Sequence, residues 1–379
     1  MKIALVHDWL TGMRGGERVF QNLCEIFPNA DVFTLFHTPG SVSPSIEKLN
    51  IKTSFLQKIP YANKAYRYFL PLFPFAIEQF DLSDYDLIVS SSHCVAKGVQ
   101  HSNRTCHIAY IHTPMRYAWE LYDTYLSAQK NWLFRAGMKL CIPPLRRWDI
   151  ESSKSVNYLI ANSLHISDQI KKIYKKESQV VYPPVEVDKI TPSNNHQGFY
   201  LMVTALVPYK RLDLAIQTFT ELKKPLVIIG SGPDEALLKK MAGPPIKFKS
   251  WQPDEVVWKH YQDCRALIFP GLEDFGIVPV EAMAAGKAVI AYQAGGAIET
   301  VISLEDTTSS GRWPTGVLFP NQSISSLSNA IKVFEDNESS FNHNEIGKHA
   351  QRFSSSVFQV CIKKIIHQCY EDFKRDQKC

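Results

Sequence analysis

Two glutamates eight residues apart, Glu273 and Glu281 in EDFGIVPVE, form the clearest chemical pattern in the sequence. They follow a short apolar run that predicts a β-strand. Gly276 and Pro279 lie between them, and proline suits the first turn of a helix because its φ is already helical. Amides exposed at such a helix start can hold an anion, while ionised carboxylates accept hydrogen bonds from hydroxyl groups. The pattern suits a ligand with phosphate and hydroxyl groups; a capping carboxylate and a solvated helix face are the alternative.

Two adjacent basic residues form a second candidate ligand-binding site. Lys210 and Arg211 follow the apolar run 199–204, in VPYKRLD. Two cations at the end of a strand could neutralise a leaving pyrophosphate without a metal ion. Adjacent basic residues at a helix start are also common as solvated surface, and that alternative stays open.

The first half of the chain contributes a glycine pair and a histidine. Gly15 and Gly16 lie between the opening strand and a helix, where glycine lets backbone amides approach an anion. Their spacing is not G-x-G-x-x-G, so the fingerprint of a nicotinamide site is missing. His112 and Arg116, in YIHTPMRYAW, follow another strand and could face a ligand crevice. A plain turn and a structural histidine are the alternatives.

The elements that would position these residues alternate regularly. Short apolar runs separated by helical patterns predict parallel α/β units, and continuous apolar runs predict sheets covered on both faces. We therefore expect two doubly wound domains, with ligands bound beyond the carboxyl ends of the strands. Residues 183–198, with three prolines and mostly polar filler, predict a domain linker. The predicted strands are 2–7, 31–36, 86–91, 106–111, 157–162, 199–204, 225–230, 265–270, 287–291 and 315–319.

Composition narrows the class of protein. A chain of 379 residues, 45% hydrophobic and 21% charged, is a globular protein of about two domains. The net charge is +5, and residues 1–190 hold 22 Lys and Arg against 17 Asp and Glu. This excess is too dispersed for nucleic acid but suits contact with anionic lipid or phosphate. Eight cysteines without a C-x-x-C pair predict a reduced, intracellular chain.

Membrane contact is expected only at the surface. No apolar stretch approaches the roughly 18 residues that cross a bilayer, and the N-terminal segment does not resemble a signal peptide. The aromatic run from Tyr66 to Phe75 and residues 130–148, with Trp132, Phe134, Leu140 and Trp148 among basic residues, fit peripheral attachment. A buried helix with snorkelling cations explains the same pattern equally well.

Together these motifs resemble the retaining nucleotide-sugar glycosyltransferases of family 4, over nearly the whole chain. The E-x7-E segment is the most specific match, supported by the Gly15–Gly16 loop, VVYPPVEVD, LVPYKRLDLAI and IIGSGPD. The resemblance implies the GT-B fold, in which two Rossmann-like domains face each other across a cleft. Residues 1–190 would bind the acceptor, with a C-terminal helix of about 356–379 packing back on them. Residues 191–355 would bind the nucleotide sugar.

The resemblance also implies roles for the candidate residues of the second domain. Glu281 would hold the ribose of the nucleotide. Glu273 and the backbone of Phe275, Gly276 and Ile277 would hold the transferred sugar and the diphosphate.

Lys210 would bind the same diphosphate, with the Gly15–Gly16 loop approaching through Gly16, and His112 would lie beside the reacting sugar. The family usually has an arginine five residues before the lysine, where this chain has Ala205. We expect Arg211 or Arg116 to replace it.

The loops HTPMRYAW and ALVPYKRLD look most like a bacterial branch that builds O-antigen, lipopolysaccharide and exopolysaccharide units. The resemblance therefore implies transfer of a hexose, best mannose from GDP-mannose, to a lipid-linked oligosaccharide. We expect no cofactor and no metal, because no D-x-D metal motif is apparent in the sequence. We also expect a cytoplasmic protein that contacts the inner face of the cytoplasmic membrane. A UDP-sugar donor and a non-catalytic nucleotide-sugar-binding component of an assembly complex are alternatives. An epimerase or a phosphorylase of similar architecture are further rivals.

Overall fold

The computed structural model describes residues 1–60, 66–120, 122–128, 131–306 and 312–377. The chain divides into two compact units, Met1–Pro184 with Ser356–Cys379, and Val185–Ser355. Each unit is built around one parallel sheet, and every predicted strand run contains a strand. The sequence analysis placed the division at residue 190, six residues later than the structure does.

The first unit contains a seven-stranded parallel sheet in the order β3-β2-β1-β4-β5-β6-β7. Strand order therefore reverses between β1 and β4, the place where doubly wound sheets bind ligands. Its strands are β1 Ile3–His7, β2 Asp31–Thr34, β3 Asn50–Thr53, β4 Leu87–Ser92, β5 Cys106–Ile111, β6 Tyr158–Ala161 and β7 Gln179–Val180. The helices that alternate with them are α1 Gly15–Ile26, α2 Pro44–Glu47, α3 Phe73–Glu78, α4 Tyr122–Ala128, α5 Trp132–Lys154 and α6 Leu164–Tyr174. Short 3-10 helices span Phe55–Lys58, Tyr66–Leu72 and Ala96–Gly98.

The second unit repeats this plan with six parallel strands in the order β10-β9-β8-β11-β12-β13, and its order reverses between β8 and β11. Its strands are β8 Tyr200–Val203, β9 Leu226–Ile229, β10 Ile246–Lys249, β11 Ala266–Phe269, β12 Ala288–Tyr292 and β13 Gly316–Phe319. Its helices are α7 Leu212–Leu222, α8 Glu235–Met241, α9 Asp254–Asp263, α10 Ile277–Ala284, α11 Ala297–Thr300, α12 Ile324–Asp336 and α13 His343–Ala350. Its 3-10 helices span Val187–Lys189, Pro208–Lys210, Leu304–Asp306, Glu338–Ser340 and Gln351–Phe353.

The C-terminal helix α14, Ser355–Asp376, packs on the first unit, as expected. Phe358 and Ile362 of α14 join a core cluster with Phe20 of α1 and Leu5 of β1. Residues on the opposite face of the same strands, such as Val6, pack against other helices. The sheet is therefore covered on both faces, as its continuous apolar strands require, and the two Rossmann-like domains of the expected GT-B fold are present.

The predicted linker is corrected by the structure, because residues 185–198 are packed against the second unit. Val187 is fully buried. The amide of Ser193 donates to the Ala285 carbonyl at 3.0 Å, and that of Gln197 donates to Asp263 at 2.8 Å. The prolines and polar residues suit this path because the segment bonds to carbonyl groups at helix ends rather than joining the sheet.

None of the helices in the described part of the chain is long and apolar enough to cross a membrane.

Candidate functional site

In the second unit, the candidate residues lie beyond the carboxyl ends of β8 and β11, where the strand order reverses. Lys210 ends the turn after β8, and its ammonium forms an ion pair with the carboxylate of Glu273, in the loop after β11. Both side chains are mostly buried, with 18% and 14% of their surface exposed. A Cβ added at Gly271 would lie 3.0 Å from the Lys210 Cα, so the two loops are in close contact. The structure thus brings together the two motifs that the sequence predicted.

A third loop supports the backbone around Glu273. Gly296, in the loop after β12, donates its amide to the Glu273 carbonyl at 2.8 Å. A Cβ at Gly295 would lie 2.3 Å from that same oxygen, and one at Gly296 would lie 2.2 Å from the Phe275 carbonyl oxygen. Only glycine fits at these two positions, so the Gly295–Gly296 pair fixes the loop that carries Glu273. This pair was not among the candidates selected from the sequence.

The start of α10 has the form expected for an anion site. Gly276 precedes the helix with a φ of +91°, a left-handed conformation that favours glycine, and no side chain caps the helix. The amides of Ile277 and its neighbours therefore have no side-chain cap. The Phe275 ring packs on Phe353 with ring centroids 5.5 Å apart.

Glu281 lies one turn inside α10 and has a partner that sequence reasoning missed. The hydroxyl of Tyr261, in α9, donates to Glu281 Oε2 at 2.9 Å. Tyr261 is fully buried, and burial together with the Glu281 carboxylate raises the pKa of its hydroxyl well above the usual value. Tyr261 therefore stays a neutral donor and orients Glu281.

Arg211 follows Lys210 in a left-handed conformation, with φ of +55°, and its guanidinium is held within the second unit. It donates to Asp213 through Nε at 3.2 Å and to Gln322 Oε1 at 3.0 Å. Gln322 in turn donates to the Pro270 carbonyl at 2.7 Å, at the end of β11. Ala205, where an arginine was expected, is exposed just after β8. Arg211 therefore stabilises the loops at the carboxyl end of β11 through Gln322.

In the first unit, the reversal of strand order lies beside a group of buried histidines. His7 ends β1 and is the register partner of Ser91 on β4. The Ser91 hydroxyl lies 3.1 Å from His7 Nδ1 and 2.8 Å from Nε2 of His112, which follows β5. His93 adjoins this pair, with ring centroids 6.2 Å from those of His112. His112 thus belongs to a cluster of buried, hydrogen-bonded side chains.

The predicted glycine loop contacts the same cluster. A Cβ added at Gly16 would lie 3.5 Å from His7 Cε1 and 3.8 Å from His112 Nε2. Gly15 is the first residue of α1, and Glu17 accepts a hydrogen bond from the Arg14 amide at 3.1 Å. Gly16 and His112, chosen separately from the sequence, are therefore neighbours.

Asp8 fixes the loop after β4 and was not identified from the sequence. Its buried carboxylate accepts hydrogen bonds from four consecutive amides, residues 93–96, at 2.6 to 3.0 Å. It also lies 3.0 Å from His93 Nδ1. His7, Asp8, Ser91 and His93 all follow or end β1 and β4, so the rule that selected His112 after β5 would have selected them too.

Burial sets the protonation of the cluster. It is the largest cause of a pKa of about 3 for each of His7, His93 and His112, and the positive charges of Arg14 and Arg116 contribute to the low value of His93. The rings are therefore neutral at pH 7. Burial raises the pKa of Glu17 to about 7. Because its charge lowers the pKa of His93, Arg116 lies close enough to this cluster to act on it electrostatically.

The two segments proposed to contact membranes contain both exposed and packed side chains. Trp132, Leu133 and Leu140 of α5 are 60 to 77% exposed. Trp148, further along α5, is partly buried and donates to Glu78 Oε1 at 2.6 Å, so it is a packing residue rather than a surface anchor. In the aromatic run, Phe75 is 57% exposed. The side chains of residues 66–68 and of residue 134 lie outside the described residues.

The sequence does contain a D-x-D triplet, Asp84 to Asp86, away from the glutamate pair. It precedes β4 at the amino edge of the first sheet, where Asp86 accepts a hydrogen bond from the Lys2 amide at 2.6 Å. The histidine cluster lies at the opposite, carboxyl edge. The triplet therefore does not join the candidate site of this unit.

The chain is similar in sequence to known glycosyltransferases. Residues 186–354, which lie in the second unit, match the family model described as glycosyl transferases group 1. The alpha-1,3/1,6-mannosyltransferase ALG2 of Candida glabrata is 23% identical over 239 residues, 48% of this chain and 51% of that protein. The chain thus matches about half the length of this curated relative.

Two solved structures share the fold. The crystal structure of Anabaena Alr3699/HepE in complex with UDP matches with a TM-score of 0.69 and 15% identity, over 97% of this chain and all of that one. WaaG, a glycosyltransferase involved in lipopolysaccharide biosynthesis, matches with a TM-score of 0.64 and 16% identity, over 96% of this chain and 99% of that one. The resemblance at these identities establishes the fold of the chain.

Proposed function

We propose that this protein is a retaining, metal-independent hexosyltransferase that moves mannose from GDP-mannose to a lipid-linked oligosaccharide in cell-surface polysaccharide biosynthesis. The observation that carries the proposal is the buried Lys210–Glu273 ion pair beside the glycine-led start of α10. A cation, a carboxylate and uncapped amides at one sheet edge match the three chemical parts of a sugar diphosphate.

The chemical problem in this reaction is the negative charge that develops on the departing diphosphate. Lys210 and the amides at the start of α10 would stabilise that charge as preorganised donors. Losing one such donor typically costs about 3–4 kcal/mol of transition-state stabilisation. The departing phosphate would act as the base towards an acceptor hydroxyl that attacks from the same face, which retains the anomeric configuration.

The two glutamates would bind the hydroxyl groups of the donor. Glu281, oriented by Tyr261, would accept from the ribose hydroxyls, and Glu273 from the transferred sugar. In the first unit, His112 would lie beside the transferred sugar, in the cluster that includes Gly16. Arg211 or Arg116 would supply the charge that the family arginine usually supplies.

The choice of mannose is supported by the curated relative, whose name is that of a mannosyltransferase. A UDP-sugar is the second candidate donor, because a structural neighbour was crystallised with UDP. A non-catalytic nucleotide-sugar-binding role is the third candidate, supported by Ala205 at the arginine position.

The lipid-linked acceptor and contact with the inner membrane surface are part of the same proposal. Trp132, Leu133 and Leu140 are exposed on α5, among basic residues. Exposed aromatic and aliphatic side chains beside cations favour binding at an anionic lipid surface. Flotation with liposomes containing anionic lipid at low salt tests this part; a protein that stays at the bottom of the gradient contradicts it.

A thermal-shift panel of GDP-, UDP-, ADP- and TDP-sugars tests the donor. A ligand at 100 times its dissociation constant should stabilise the protein by about 2.7 kcal/mol. We expect the largest shift with GDP-mannose, unchanged by EDTA. Transfer of labelled mannose to a lipid-linked acceptor then separates an enzyme from a binding protein. A thermal shift without transfer or donor hydrolysis would favour the non-catalytic role. A shift with UDP-sugars alone would contradict GDP-mannose as the donor and favour a UDP-sugar.

A further inference from the structure

Ser91 lies between two buried imidazole rings. Its hydroxyl oxygen is 3.1 Å from His7 Nδ1 and 2.8 Å from His112 Nε2. His7 and Ser91 are fully buried and are register partners on adjacent strands. The hydroxyl therefore links the end of β1 to the residue that follows β5.

The backbone of His112 is already fixed, so the ring is the part that needs a positioning group. The His112 amide donates to the Ser92 carbonyl at 2.9 Å. The Asn162 side-chain amide donates to the His112 carbonyl, also at 2.9 Å. Ser91 is the hydroxyl that contacts the ring itself.

A hydroxyl group has one hydrogen to donate and two lone pairs, so Ser91 could also accept from both rings, but its own hydrogen would then have no acceptor among the described residues. Two arrangements remain in which that hydrogen is used. In the first, Ser91 donates to His112 Nε2 and accepts from His7 Nδ1–H. In the second, Ser91 donates to His7 Nδ1 and accepts from His112 Nε2–H. Each ring carries one proton at neutral pH, because burial lowers the pKa of both to about 3.

The second ring nitrogen of His7, Nε2, distinguishes the two arrangements. His7 Nε2 is buried and has no hydrogen-bond partner within the described ranges of the chain. In the second arrangement this nitrogen would carry a buried N–H group without an acceptor. Orphaned buried N–H groups are rare in folded proteins, whereas an acceptor without a donor is tolerated more often. The first arrangement is therefore favoured.

We propose that Ser91 is a positioning residue that donates its hydrogen to His112 Nε2 and so fixes the proton of His112 on Nδ1. His7 holds the hydroxyl in that orientation by donating to it from Nδ1. His112 Nδ1–H is then available as a donor to a hydroxyl oxygen of the transferred sugar, which rests on the proposed function. Without Ser91 both tautomers are accessible and the ring is free to turn.

Nitrogen NMR of protein with labelled histidine tests the tautomer directly. The His112 signals are assigned by their loss in His112→Gln. We expect the parent at pH 7 to show a protonated Nδ1 and a bare Nε2 for His112, and Ser91→Ala to show a mixture. A parent spectrum with the proton on Nε2 overturns the proposal, whether or not the protein transfers a sugar and whether or not the variant folds.

Kinetics test the consequence, with Ser90→Ala as the matched control. Ser90, the neighbour of Ser91 on β4, contacts His107 Nε2 at 2.9 Å, and both residues are buried. Each alanine variant therefore loses buried serine–histidine hydrogen bonding from the same strand, two contacts in Ser91→Ala and one in Ser90→Ala. We expect Ser91→Ala to lower kcat about 10- to 100-fold, as for residues that orient metal-bound histidines, with the donor KM changing less than about threefold.

Ser90→Ala should keep the kcat of the parent and should melt no lower than Ser91→Ala, which loses one contact more. Equal kcat values for the two variants would overturn the positioning role. If the parent transfers no sugar, the proposed function fails, and the NMR experiment still decides the role of Ser91.

Discussion

Lys210 and Glu273 form an ion pair that joins the turn after β8 to the loop after β11, at the point where the strand order of the second sheet reverses. Neither side chain lies on a strand, so the sheet holds the pair through its loops. Gly271 allows the two loops to touch, and Gly295 and Gly296 support the Glu273 backbone from a third loop. The position of the carboxylate is therefore set by backbone packing as well as by its cation.

Glu273→Gln keeps the shape of the side chain but removes its charge. We expect kcat to fall about 10- to 100-fold while the donor KM changes less, because the charge matters most when the sugar carries developing positive charge. Steady-state kinetics at saturating acceptor measure both constants. The control is Glu255→Gln, an exposed acid in the first turn of α9, which should match the parent. Unchanged kinetics in Glu273→Gln would remove Glu273 from the site.

Tyr261→Phe removes the hydroxyl that donates to Glu281. We expect donor affinity to fall about 5- to 10-fold, corresponding to the roughly 1 kcal/mol of one hydrogen bond, with kcat close to that of the parent. Tyr200→Phe is the matched control, because Tyr200 donates to Glu335 at 2.8 Å from the opposite end of the sheet. Calorimetric titration with the donor measures both variants. Similar affinity losses in the two variants would show that the Tyr261 effect is structural.

The strands predicted from the sequence are those that are buried on both faces. The ten apolar runs were all confirmed, whereas β3, β7 and β10 were missed. All three lie at edges of their sheets, where one side is open and polar residues are tolerated. β10, with the sequence IKFK, alternates buried and exposed residues and so lacks a continuous apolar run.

The site was predictable where a local motif marks it. Lys210, Glu273 and Gly276 were all found from spacing and from the position of their loops. Tyr261 was not found, because it acts through Glu281, which is distant in sequence and near only after folding. Ser91 lies at the end of β4, where the rule that selected His112 applies, but its pairing with His112 forms only in the fold. No local pattern marks such a pairing.

Gly16→Ala tests the role of Gly16 in activity without lowering the stability of the fold. The added methyl group would make ordinary contacts with the rings of His7 and His112, at 3.5 and 3.8 Å, and alanine favours the helical position. We expect stability equal to the parent or up to about 1 kcal/mol higher, with transfer activity reduced about tenfold or more. Gly137→Ala, in α5 with open space around the added methyl group, should show the same stability change with full activity. Full activity in Gly16→Ala would exclude a close approach of the ligand to Gly16.

The pH dependence of stability should depend on Glu17. Burial raises its pKa from the ordinary 4.5 to about 7, so the folded protein holds a proton on Glu17 between these values that the unfolded chain releases. The stability contribution of this group is therefore complete below pH 4.5 and is lost as the pH rises through 7. Glu17→Gln keeps an acceptor for the Arg14 amide and cannot ionise.

We expect Glu17→Gln to be more stable than the parent by about 1–3 kcal/mol at pH 8, with the difference falling below about 1 kcal/mol at pH 5 and vanishing below pH 4.5. Urea unfolding at pH 5, 6, 7 and 8 measures this. Both proteins should still lose stability between about pH 6.5 and 3, because the folded state keeps His7, His93 and His112 neutral while the unfolded chain takes up protons. Glu151→Gln, at a position 67% exposed, should follow the parent at every pH. A constant offset between Glu17→Gln and the parent would show that Glu17 titrates alike in both states, contrary to its burial.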